Sequence, residues 1–106
     1  MNATGGTRTR ARRATVGAAH VPCISEFFGI AVYMYYNDHS PPHFHAQYAE
    51  DEATISIDTL ETLTGSLPRR ARNLVIEWAL LHRDRLRTNW DRAREGSPPE
   101  RIDPLD

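Results

Sequence analysis

Residues 1–20, a Gly-, Ala-, Thr- and Arg-rich stretch with no periodicity, hold almost nothing large enough to bury. Such a segment cannot offset its ordering entropy, so it reads as a disordered basic extension, or as sequence upstream of the true start. From Phe27 to Tyr36 the chain runs Phe-Phe-Gly-Ile-Ala-Val-Tyr-Met-Tyr-Tyr. This β-branched and aromatic run is too short for a convincing helix and predicts a buried strand. Asn37-Asp38-His39-Ser40-Pro41-Pro42 is a cluster of turn formers that ends it.

The pattern then alternates. Phe44, Ala46 and Tyr48 share one face, and His43, His45 and Gln47 the other. After Glu50-Asp51 the alternation resumes with Ala53, Ile55 and Ile57 against Thr54, Ser56 and Asp58. Two such runs around a short polar turn predict a hairpin. With its tip at Glu50-Asp51, Phe44 pairs with Ile57, Ala46 with Ile55 and Tyr48 with Ala53. The same register sets His45 opposite Ser56 and His43 opposite Asp58, whereas a one-residue slip would mix the faces.

A further short strand is expected around Thr62-Thr64, ended by Gly65. Ser66-Leu67-Pro68 opens a helix, with Ser66 as N-cap. On a helical projection Leu74, Val75, Trp78, Ala79, Leu81, His82, Leu86, Trp90 and Ala93 form one apolar stripe reaching about residue 94. Gly96 and Pro98-Pro99 end it. The expected fold is α+β: a three- to four-stranded antiparallel meander with one long C-terminal helix packed on one face. Residues 21–97 form the single domain and 98–106 an extended tail. Helix and hairpin need each other, because neither stands alone in water.

Composition narrows the class without naming a function. The chain has 106 residues, enough for one small domain whose core is marginal. No apolar run approaches the roughly 20 residues of a membrane span, and no signal-peptide core is visible. Cys23 is the one cysteine, so an internal disulfide is excluded and a cytoplasmic chain is expected. The formal charge of −1 hides an uneven spread: all 13 basic residues are arginine, and Arg69, Arg70 and Arg72 crowd the helix start.

The candidate chemistry lies between Asn37 and His45. His43 and His45, two apart on a strand, project from one face roughly 6–7 Å from each other. A pair of imidazoles can exchange protons near neutral pH, or bind a metal with Asp38, His39 or Asp58 completing the shell. An acid opposite His43 would fix its tautomer, which gives Asp58 an orienting role, and Ser56 a hydrogen bond to substrate or ring. Arginines at a helix N-terminus oppose the macrodipole and offer an anion site, or else pair with Asp58 and Glu61. The plain alternative is a polar sheet face that merely tolerates histidine. His82, Trp78 and Trp90 fall within the stripe and read as core. Ile76 and Leu80 on the opposite helix face suggest a subunit or partner contact.

Ile24-Ser25-Glu26-Phe27-Phe28-Gly29-Ile30 and Met34-Tyr35-Tyr36-Asn37-Asp38-His39-Ser40-Pro41-Pro42-His43-Phe44-His45 also resemble a known pattern. So do Leu67-Pro68-Arg69-Arg70-Ala71, Glu77-Trp78-Ala79 and Asn89-Trp90. Together they resemble the small bacterial family called domain of unknown function 4160, over about Val21 to Pro104. The resemblance implies a gene often paired with a second small gene, as in toxin–antitoxin modules. It implies no catalytic residue.

The expected catalytic group is His43, His45, Asp58 and Ser56, with Arg69, Arg70, Arg72, Asp38 and His39 as substrate contacts. No metal ligand set and no cofactor is assigned. The leading reading is one half of a toxin–antitoxin-like module directed at RNA, cleaving without metal. One histidine activates the 2′-hydroxyl, the other protonates the leaving oxygen and an arginine steadies the charge. The partner expected is a small protein from a neighbouring gene, with a homodimer through Ile76 and Leu80 also considered. A non-enzymatic binding or regulatory module and a small metal-binding domain are the competing classes.

Overall fold

The computed structural model describes residues 22–106. The expected basic extension lies outside them.

The first apolar run folds as a hairpin, not as one strand. β1 (Cys23–Phe27) pairs antiparallel with β2 (Ile30–Tyr33) across the two-residue turn Phe28-Gly29. Both turn residues have positive φ, 50° and 80°, the mirror-image turn that suits the right-handed twist of the strands. Asn or Asp is usual at the first of these positions. Phenylalanine there disguises the turn as part of an apolar strand, and its side chain is left 58% exposed.

β3 (His43–Tyr48) and β4 (Asp51–Ser56) form the second hairpin, with its tip at Ala49-Glu50, one residue earlier than expected. Phe44 therefore faces Ile55, His45 faces Thr54, and His43 faces Ser56 instead of Asp58. The slip is two residues, so every side chain keeps its face and only its partner changes. β5 (Thr62–Gly65) completes a five-stranded antiparallel sheet in sequential order, one strand more than the expected maximum. Gly65 is required where it stands: its φ is 72°, and a Cβ would come within 2.1 Å of the Glu52 carbonyl oxygen.

The single long helix is two helices, α1 (Arg69–Leu81) and α2 (Arg83–Arg94). His82 stands between them at φ −125° and ψ 25°, and its N–H donates to the Ala79 carbonyl in a tightened last turn. The cap position of α1 is Pro68, not Ser66, and no side chain caps its free N–H groups. Val75, Trp78, Ala79, Leu86, Trp90 and Ala93 are buried as the stripe requires. Leu81, at the break, is 68% exposed. Trp78 packs on Phe27 and Phe44 at ring separations of 5.4 and 5.9 Å and forms the centre of the core.

Residues 98–106 have no regular element yet are firmly attached. The Ile102 side chain is buried, and its N–H donates to the Ile24 carbonyl at 2.8 Å, covering the outer edge of β1. Buried Asn89 accepts the Glu100 N–H at 2.8 Å and donates back to the Glu100 carbonyl at 2.7 Å. The Trp78 indole N–H donates to the Asp103 carbonyl at 2.8 Å. No helix among the described residues is long and apolar enough to cross a membrane.

Candidate functional site

Strand alternation places His43 and His45 on one face of β3, and the preceding loop delivers the acid that meets them. Asn37 takes φ 49°, a conformation asparagine tolerates, and its N–H donates to the Ala93 carbonyl at the end of α2. That anchor holds the loop so that Asp38 turns back over the start of β3. Its Oδ2 lies 2.8 Å from His43 Nε2 and 3.5 Å from His45 Nε2. The two imidazoles stand edge-to-face with centroids 5.2 Å apart.

Each ring is held from behind. His43 Nδ1 donates to the Pro41 carbonyl at 2.7 Å, and the ring packs against Trp90 of α2. His45 Nδ1 lies 3.4 Å from Thr54 Oγ1 and 3.5 Å from Glu52 Oε2, while Tyr35 stacks flat on the ring at 4.2 Å. His45 Nε2 is buried and has no hydrogen-bond partner, its approach to Asp38 Oδ2 being 3.5 Å. The side chains of His43, His45 and Asp38 are only 8%, 13% and 14% exposed, whereas that of His39 is 94% exposed. His39 lies at the rim, its Nδ1 3.3 Å from the other Asp38 oxygen.

Burial on its own would raise the Asp38 carboxyl. The His39 backbone N–H, donating at 2.9 Å, and the hydrogen bond and charge of His43 outweigh it, with the nearby His45 ring adding a smaller effect, so the carboxyl is held below its ordinary value. Burial pushes the Tyr35 phenol up, with Glu52 and Asp38 adding to the shift, so Tyr35 stays a neutral donor. Above the cluster opens a pocket of about 340 Å³, walled by Tyr35, His39, Pro41 and Thr54 with Leu63 and Thr64 of β5.

The expected acid is thus replaced. Asp58 pairs with Arg87 of α2, away from the histidines. Ser56 is buried and its Oγ accepts the Thr59 N–H at 3.1 Å, holding a turn instead of facing a substrate. Asp38 and His39, expected as substrate contacts, do join the histidines. Arg69, Arg70 and Arg72 are exposed in the first turn of α1, and none of them lines this pocket. Arg70 borders a separate groove with Phe28, Tyr48 and Leu74. Tyr35, Glu52 and Thr54 join the site although the sequence pattern assigns them no part in it. The one available signal was the correct cross-strand partner of His45.

These features define a small α+β domain with a two-histidine, one-carboxylate pocket at the start of its third strand. The family described as Domain of unknown function (DUF4160) matches residues 29–91, and the chain belongs to that family. The match runs from the start of β2 to Asp91 within α2 and includes every residue of the cluster. No curated protein and no solved structure matches the chain.

Proposed function

We propose that the chain acts on RNA as one half of a two-gene, toxin–antitoxin-like module, and that the Asp38 pocket is its working site. The observation carrying this reading is the meeting of His43 and His45 at Asp38 on the floor of an open pocket. A buried carboxylate joined to imidazoles is the arrangement that holds and moves protons in catalytic sites. Tyr35 and Tyr36, 39% and 38% exposed, supply ring faces of the kind on which unpaired bases stack. The arginines at the start of α1 have no share in the chemistry, since they sit outside the pocket.

Induced expression in a bacterial host tests the reading. Wild type is expected to arrest growth and deplete RNA, and Asp38→Asn, His43→Ala and His45→Ala to relieve both effects. Arrest by all three variants at the wild-type level overturns it.

The second reading, a protein-binding module, draws on Leu80 and Leu81, 60% and 68% exposed side by side where α1 ends. Ile76, expected to share that face with Leu80, instead packs partly against the core. Leu80→Asp is expected to abolish capture of the neighbouring gene product in a pull-down while leaving the fold intact.

A further inference from the structure

We propose that Asp38, His43 and His45 bind one divalent first-row transition-metal ion of the zinc, iron or nickel class, through Asp38 Oδ2 and the two imidazole Nε2 atoms. The inference rests on the Asp38 pocket being the working site and names the cofactor of that site.

The donors come first. One ligand atom from each of the three residues lies within 4.8 Å of the other two. Metal–donor bonds of about 2.0–2.2 Å set neighbouring ligands roughly 2.9–3.5 Å apart. Of the separations from Asp38 Oδ2 to the two Nε2 atoms, 3.5 Å meets the upper end of that span and 2.8 Å falls just below its lower end.

The backs of the rings agree. A metal-binding histidine presents one nitrogen to the ion and gives its other N–H to a carbonyl or carboxylate. His43 gives Nδ1 to the Pro41 carbonyl, and His45 turns Nδ1 toward Thr54 and Glu52. Both Nε2 atoms are thereby left facing Asp38. His45 Nε2 is also a buried nitrogen with no partner, a cost the fold does not otherwise recover. An ion at the meeting point satisfies it.

Charge at the meeting point favours a cation, because a carboxylate oxygen lies where both ring nitrogens converge. Two imidazoles with one carboxylate suit zinc, iron or nickel over magnesium or calcium, which prefer oxygen shells. Three protein ligands beneath an open pocket leave coordination positions for water or substrate, as reactive sites do and closed structural sites do not.

The test uses the full chain without a histidine tag, stripped with chelator and titrated with Zn²⁺ by calorimetry and with Co²⁺ by visible absorption. One equivalent of each is expected, with no response to Mg²⁺. Asp38→Asn, which keeps the shape of the side chain, and His45→Ala are expected to weaken binding at least tenfold. Asp58→Asn is expected to leave it unchanged. Circular dichroism confirms that each variant is folded. Binding well below one equivalent, or binding that survives both Asp38→Asn and His45→Ala, overturns the metal site. If no ion binds yet the same variants relieve growth arrest, the metal fails and the proposed function stands. If one ion binds and the variants still arrest growth, the metal stands and the proposed function fails.

Discussion

Asp38 shows how much of a site can depend on where one turn falls. The sequence brings His43 and His45 to one face through alternation alone, and that much is legible. Their acid is not, because a tip displaced from Glu50-Asp51 to Ala49-Glu50 shifts each cross-strand partner by two residues and removes Asp58. The replacement arrives from a loop whose path depends on the tie between Asn37 and α2, which no local pattern encodes. The carboxyl of Asp38 is held below its ordinary value of 3.8 despite burial, which alone would raise it. In metal-free protein its contribution to stability is therefore fully present above about pH 4 and is lost as pH falls through the lower folded value. Asp38→Asn is expected to remove that part of the acid transition, so wild-type and variant stabilities converge at low pH. Denaturant midpoints measured at several pH values check this, and a constant difference between the two proteins at every pH contradicts it.

At the scale of elements, the periodic parts of the chain were readable and the exceptions were chemical disguises. Phe28 stands where a turn residue belongs, so two strands read as one. His82 breaks the helix without proline or glycine, and the stripe continues in phase on both sides, so two helices read as one. β5 was legible because Gly65 ends it. Gly65→Ala is expected to destabilise the protein by at least about 2 kcal/mol, combining strained φ with a clash against backbone that cannot swing away. Since Leu63 and Thr64 wall the pocket, the same change is expected to loosen it, visible as faster amide exchange in β5. Asn89, a polar residue in an apolar stripe, is explained only by the tail. Asn89→Ala leaves both Glu100 backbone groups without their partner and is expected to cost about 1–3 kcal/mol. Limited proteolysis checks it, with cleavage after residue 98 appearing in the variant and not in the wild type.

The whole molecule is a meander with sequential strand order, so most pairings form between neighbours in the chain. Its core is small, and an ion bound only by the folded state adds stability by mass action. At a free Zn²⁺ concentration a hundred times the dissociation constant the gain is about 2.7 kcal/mol. Thermal unfolding with and without Zn²⁺ is expected to show the midpoint rising for wild type and staying fixed for Asp38→Asn. One long-range tie departs from the local plan: Arg101 donates to the Cys23 carbonyl across 78 positions, beside the Ile102–Ile24 bond. During synthesis, then, β1 emerges from the ribosome well before residues 98–106, which cover its outer rim among the described residues. A nascent chain in that interval carries an open template for pairing with other nascent chains.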